Sequence, residues 1–143
     1  MNTLAILTGT ILASLLGTHA TYWLTHRRRM NSVRAASLTS LVFVLVAEAS
    51  HWPWLLALQP AVFGSTFVAM SEPHRLSERR VLVAGLVFGL ILFELQEIDF
   101  LHFHGGMGGT LGGTAFVACL CVYWLQWAEL RLTGRQPPKR AES

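Results

Sequence analysis

Residues 38–70, LTSLVFVLVAEASHWPWLLALQPAVFGSTFVAM, decide the fold. They form an apolar run of 33 residues, interrupted by Trp52-Pro53-Trp54. A membrane-spanning helix needs about 20 apolar residues, so the run is too long for one crossing and short for two. A proline inside a helix removes a hydrogen bond and clashes with the preceding turn, and tryptophan concentrates at the headgroup level of bilayers. We therefore predict that the chain reverses direction at Pro53, at a membrane surface.

The composition of the whole chain supports a membrane location. Hydrophobic residues make up 52% of the 143 residues and charged residues only 13%, about half the charged fraction of a typical soluble domain. A chain this short cannot bury so much apolar surface and keep a wettable exterior. The pI is about 9.4, but the basic residues lie between apolar runs rather than on one face, which argues against a nucleic-acid partner. A soluble enzyme and a disordered tail are likewise poor interpretations of the chain as a whole.

Further apolar runs on both sides of this stretch complete a predicted helical bundle. The first run, 3–24, has no Lys or Arg before it and is too long for the apolar core of a signal peptide, so we expect it to be retained. We predict an all-α polytopic membrane protein with one domain at 1–130 and a basic, disordered tail at 131–143. Its predicted spans lie at about 3–25, 38–52, 55–70, 81–102 and 106–127.

Charge bias predicts the orientation of the bundle. With five crossings and the N-terminus outside, all eleven Lys and Arg fall on one side, whereas a single crossing at 38–70 splits them at best seven against four. Lys and Arg in short loops favour the cytoplasmic side. We therefore predict an outside N-terminus and a cytoplasmic C-terminus, and we expect a bacterial cytoplasmic membrane from the compact size and Arg-rich inner loops. Four crossings plus a re-entrant hairpin keep the same charge sidedness and stay an alternative.

Acids and histidines on the outer side are the main chemical signal. No Lys or Arg falls in that half, yet it holds seven residues that can bind protons or metal ions: Glu48, His51, Glu94, Glu97, Asp99, His102 and His104. Several of them are three apart and so share a helix face: Glu48 with His51, Glu94 with Glu97, and Asp99 with His102. The last two pairs point more than about 100° apart on one helix. A neighbouring helix or protomer would have to complete a site.

The chemistry of these side chains suggests how they are stabilised. A charged, unpaired carboxylate at the centre of a membrane helix costs about 2.5–3.5 kcal/mol. Protonation, a bound cation or a water-filled cavity would relieve that cost. Carboxylate and imidazole together are suitable ligands for Zn, Fe, Mn or Cu(II). The plainer alternative is that Asp99, His102 and His104 are solvated residues at a helix end.

Glycines at four-residue intervals predict close helix packing. Gly105, Gly109 and Gly113 have this spacing, and so do Gly85 and Gly89. Small residues repeated in this way let membrane helices approach closely. We expect the glycines to pack spans within one chain or two protomers against each other.

Three functions are compatible with these patterns. The first is transport in a homo-oligomer, with the outer cluster binding a transition metal or relaying protons. The second is an accessory or anchor subunit whose membrane-protein partner pairs with the intramembrane acids. The third is an intramembrane metalloenzyme with histidine ligands and a glutamate base. The chain carries no phosphate-binding loop, dinucleotide fingerprint or C-x-x-C motif that would decide whether it is an enzyme.

Overall fold

The structure, a computed structural model, describes residues 3–71, 76–97 and 107–133. This part of the chain is entirely helical apart from short connections, which confirms the all-α class. Its helices are α1 (Thr3–His26), α2 (Ser32–Ser50), α3 (Pro53–Ala57), α4 (Gln59–Ala69), α5 (Glu78–Glu97) and α6 (Met107–Thr133).

Helices α1, α4 and α5 form the centre of the bundle. Helix α2 packs against α1 and α4 on one side, and α6 packs against α4 and α5 on the other. Within the described ranges, α2 packs against neither α5 nor α6. Helix α1 runs parallel to α4, since Gly9 lies beside Leu58 and Gly17 beside Ser65.

The bundle has two chemically different ends. The basic end is where α1, α4 and α6 finish and α2 and α5 begin, and the acidic end is the opposite one. All seven arginines of the described ranges lie at or near the basic end: Arg27, Arg28, Arg29, Arg34, Arg79, Arg80 and Arg131. At the acidic end, the described carboxylates are Glu48, Glu94 and Glu97.

Three of these helices, α1, α2 and α6, are long and apolar enough to cross a membrane. Their outward faces carry large apolar side chains that a soluble protein would bury, such as Leu12 at 66% and Phe116 at 67% exposure. Lipid is the environment that such a surface fits. Helix α5 has 20 residues and the α3–α4 segment, Pro53–Ala69, is a shorter apolar helix.

The segment predicted as a single span at 55–70 is divided into two helices at Leu58. Pro60 lies in the first turn of α4 and has no N–H to donate to the helix before it. The N–H of Leu58 instead bonds to the carbonyls of Leu55 and Leu56, which tightens the end of α3. The chain therefore passes from α3 to α4 at Leu58. Pro60 is the residue in the sequence that predicts this break.

Three helices begin or end away from the limits of the predicted spans, and one of them, α5, begins at Glu78 rather than at 81. Helix α2 begins at Ser32, where the Asn31 side chain accepts a hydrogen bond from the N–H of Val33 at 2.9 Å. This cap extends the helix toward the arginines. Helix α6 continues to Thr133 and so includes the first three residues of the predicted tail. The rest of the tail, 134–143, lies outside the described residues.

The buried residues of α1, on the face that packs on α4 and α5, are all small. We call this face the α1 seam: Thr10, Ala13, Ser14, Gly17, Thr18 and Thr21, all buried. The large core side chains come from the other helices, with Phe88 and Leu92 on α5 and Leu111 on α6. Because lipid provides no hydrophobic drive between helices, close backbone approach of this kind is what stabilises a membrane bundle.

Three hydroxyl groups of the α1 seam, those of Ser14, Thr18 and Thr21, donate hydrogen bonds. Ser14 donates to the Thr10 carbonyl at 2.8 Å, within its own helix. Thr18 donates to the carbonyl of Ser65 in α4 at 3.3 Å, and Thr21 to the hydroxyl of Thr39 in α2 at 3.1 Å. These bonds remove the cost of burying the hydroxyls and tie α1 to two other helices.

Candidate functional site

Glu48 and His51 lie at the acidic end of α2. Both side chains are exposed, and the backbone N–H of His51 donates to the carbonyl of Glu48 at 3.1 Å. His51 has φ 54°, the left-handed conformation that ends a helix. It is followed by Trp52 and Trp54, whose rings stack 5.7 Å apart and are exposed. His51 therefore has a structural role as a helix cap beside an aromatic pair of the kind found at membrane interfaces.

Glu94 and Glu97 lie in the last turn of α5 and face away from the bundle. They continue an outward row of side chains with three- and four-residue spacing, and the neighbouring Leu92 and Phe93 are the ones that enter the core. Leu90, one turn before Glu94, is 41% exposed. The two acids are thus placed where lipid, water or another protein chain would meet them.

The structure does not bring the α2 pair and the α5 pair together through a direct helix contact, because α2 and α5 do not pack against each other in the described ranges. Among the described residues, no group of three or more His, Cys, Asp and Glu side chains is close enough to hold a metal ion. Asp99, His102, His104 and Gly105 lie outside the described residues. A site within one described chain would therefore consist of two separate half-sites.

Charge is divided between the two ends of the described bundle. Arg80 of α5 pairs with Glu129 of α6 at 3.6 Å near the basic end. The acidic end holds no arginine or lysine among the residues that the structure describes. Glu48, Glu94 and Glu97 thus have no basic partner within reach on those segments.

The candidate packing glycines fall into two groups. Gly85 and Gly89 face the α1 seam: a Cβ on Gly85 would lie 2.5 Å from Thr18 Oγ1, and one on Gly89 would lie 3.0 Å from Ser14 Oγ. Gly109 and Gly113 have no atom within 4 Å of such a Cβ. Gly85 and Gly89 therefore pack α5 against α1 within the chain. No described atom packs against the Cβ position of Gly109 or Gly113.

The α1 seam is the feature that sequence reasoning missed. Its signal is the spacing of Thr10, Ser14, Thr18 and Thr21, which recur at four, four and three residues and so mark one face of a helix. Such a row of small hydroxyl residues in an apolar span indicates helix packing. Since the hydroxyls of Ser14, Thr18 and Thr21 are bonded within the bundle, the seam is a packing surface.

Comparison with known proteins gives no guide to the function, so the proposal below rests on where the side chains lie. No family model, no curated protein and no solved structure matches this chain.

Proposed function

We propose that the chain is an integral membrane protein of five crossings in a bacterial cytoplasmic membrane, with the N-terminus outside and the C-terminus in the cytoplasm. The alternating directions of the helices support this topology, with α3 and α4 acting together as one crossing. The single-ended placement of the described arginines supports the orientation. At 1.5 Å per residue, Pro53–Ala69 extends about 26 Å, which needs a slightly thinned bilayer.

Cysteine labelling from outside the cell tests the topology. In a Cys119→Ser/Cys121→Ser background, we expect Ser50→Cys and Met107→Cys to react with a membrane-impermeant maleimide in intact cells. Ser77→Cys, at the basic end, should react only after permeabilisation. Because Ser50 precedes the turn at Pro53, a protected Ser50→Cys beside a labelled Met107→Cys would contradict two full crossings in 38–70 and favour a re-entrant hairpin.

For the activity, we propose that the outward-facing acids bind a transition metal or relay protons in transport, in a homo-oligomer. The observation that carries this proposal is the exposure of Glu94 and Glu97 on the outer face of α5, away from any described basic residue. Asp99, His102 and His104 follow in sequence and are proposed to add ligands. Zn, Fe, Mn or Cu are the metals that suit this donor set.

An oligomer gives these acids an environment that one chain lacks. A charged carboxylate facing lipid is unfavourable, and it is stabilised where it meets water, a cation or a second polar surface. Helices α2 and α5 lie on different sides of α4 in one chain. A neighbouring protomer could therefore place its Glu48 and His51 beside Glu94 and Glu97, joining two half-sites.

Metal content is the measurement that tests this proposal. We expect detergent-purified protein to retain a stoichiometric divalent metal, and a chelator to lower its thermal midpoint. The double variant Glu94→Gln/Glu97→Gln should lose both the metal and the response to chelator. Glu78→Gln, an exposed acid at the other end of the same helix, should keep both.

Each form of the transport proposal, metal binding or proton relay, has a result that would count against it. Metal-free wild-type protein that ignores chelator would exclude it directly. The proton-relay form then requires that proton flux into proteoliposomes be lost in the double variant and kept in Glu78→Gln. Flux that is equal in the two variants, or absent in the wild type, would overturn the transport proposal.

A second candidate function, an accessory subunit, is favoured by the same outward placement of Glu94 and Glu97. Arg or Lys from a partner chain would pair with them and remove the cost of isolated charge. In this case the Glu94→Gln/Glu97→Gln variant is expected to be more stable than wild type when purified alone, and to fail to co-purify with the partner.

A further inference from the structure

We propose that the basic end binds the phosphate groups of anionic phospholipids through the arginines of the α1–α2 connection and of the first turn of α2. We call these four residues the arginine turn: Arg27, Arg28, Arg29 and Arg34. This binding site lies at the opposite end of the bundle from the acids, and it depends on the membrane location alone, so it can hold or fail independently of metal or proton transport.

Main-chain hydrogen bonds hold the arginine turn on the end of α1. The N–H of Arg27 donates to the Trp23 carbonyl at 2.8 Å, and that of Met30 to the Leu24 carbonyl at 3.2 Å. Arg29 takes φ 53°, which reverses the chain before the Asn31 cap of α2. Three guanidinium groups are therefore presented by a short connection whose backbone is held by its own bonds, and Arg34 follows in the first turn of α2.

The guanidinium groups of the turn are available to an external anion. All four side chains are exposed, and no carboxylate of the described residues lies within ion-pair distance of any of them. The described acids at this end are Glu78 and Glu129, and Glu129 pairs with Arg80 at 3.6 Å. The turn thus carries four positive charges that the described chain does not neutralise.

Aromatic contacts place these groups at headgroup level. The Arg28 guanidinium carbon lies 4.9 Å from the Trp23 ring centroid, and at the same end that of Arg131 lies 3.8 Å from the Trp127 ring. Tryptophan prefers the membrane–water interface. A guanidinium held over such a ring keeps N–H groups free to donate at its edge. Phosphates of the surrounding lipids lie at that level.

The choice of arginine over lysine points to phosphate recognition. Orientation in the membrane requires positive charge, which lysine supplies as well as arginine. Nevertheless, ten of the eleven basic residues are Arg and one is Lys. Only the planar guanidinium offers two parallel N–H donors that match two phosphate oxygens. Lipid is favoured over free phosphate as the source because the turn lies beside exposed, membrane-facing tryptophan.

Native mass spectrometry of the purified protein tests the lipid site. Protein in a neutral detergent is exposed to equal amounts of phosphatidylglycerol and phosphatidylcholine with the same acyl chains, and the retained lipids are counted. We expect wild type to retain phosphatidylglycerol about tenfold more strongly, a preference that falls with added salt. In Arg27→Gln/Arg28→Gln/Arg29→Gln the preference should approach one.

Two further variants separate phosphate geometry from charge. Arg27→Lys/Arg28→Lys/Arg29→Lys keeps the charge and should lose much of the preference, since lysine contacts phosphate as a point charge. Arg79→Gln removes a charge from the same end outside the turn and should keep most of the preference. If the glutamine variant does not fold, the lysine variant and the salt dependence of the wild-type preference test the proposal instead.

Four outcomes would overturn the proposal. The first is equal retention of both lipids by wild type, and the second is an unchanged preference in the folded glutamine variant. The third is displacement of phosphatidylglycerol by millimolar inorganic phosphate, which would assign the turn to free phosphate. A lysine variant that retains the full preference would likewise reduce the site to nonspecific charge.

Discussion

Gly17→Ala is expected to lower the free energy of unfolding by about 2 kcal/mol. A Cβ at this position would lie 2.7 Å from the carbonyl oxygen of Val62 and 3.2 Å from its Cα. Because these are backbone atoms of α4, they can give way only if the helices separate, and overpacking of this kind costs about 1–3 kcal/mol. Alanine also gains up to about 1 kcal/mol in helix propensity. The packing loss should exceed that gain.

Gly113→Ala is the matched control for this substitution. Both glycines lie inside a helix, but a Cβ on Gly113 meets no atom within 4 Å. Only the gain in propensity remains there, so stability should be unchanged or higher. Reversible unfolding in mixed micelles or bicelles measures both. Equal stability of the two variants would show that α1 and α4 do not approach as closely as described.

Phe88 and Gly64 should show strong energetic coupling. Phe88 is fully buried, and a Cβ on Gly64 would collide with its ring and lie 3.1 Å from Leu111 Cδ2. Phe88→Ala removes roughly 100 Å³ of side chain and is expected to cost about 2–3 kcal/mol, chiefly through the cavity. In a membrane the transfer term is small, because the separated helices remain in an apolar solvent.

A double-mutant cycle measures that coupling. Gly64→Ala alone is expected to cost about 1–2 kcal/mol by overpacking. In Gly64→Ala/Phe88→Ala, the added methyl enters the cavity, so the double variant should be about 1 kcal/mol more stable than the sum of the single effects. Phe116→Ala, at a side chain 67% exposed, should cost little. Additive effects at Gly64 and Phe88 would contradict their contact.

Much of the helical fold was predictable because short-range sequence patterns determine where membrane-spanning helices begin and end. Apolar length predicts helices, and Pro53 predicts the turn after α2, where the structure places the start of α3. The break at Leu58 was also within reach, since Pro60 cannot donate to the preceding helix. These features depend on residues within a few positions of each other.

The arrangement of the candidate site was less predictable. Whether Glu48 and Glu94 meet depends on which helices are neighbours, and that depends on the α1 seam, whose Thr18 bonds to Ser65 across 47 positions. From the sequence alone, a carboxylate side chain near a helix end can point either into the bundle or away from it. The structure places both acids on exposed faces, and their role in transport stays a prediction.

The α1 seam has a consequence for how the chain enters the membrane. Helix α1 emerges from the ribosome before its partner α4, which follows 47 residues later, as measured by the Thr18–Ser65 bond. At about 5–20 residues per second, α1 waits roughly 2–9 seconds for that partner. Meanwhile its hydroxyls can bond to carbonyls one turn back, as Ser14 does to Thr10. Biogenesis thus calls for a helix that tolerates lipid on its own, with its hydroxyls bonded locally, and that packs against α4 only later.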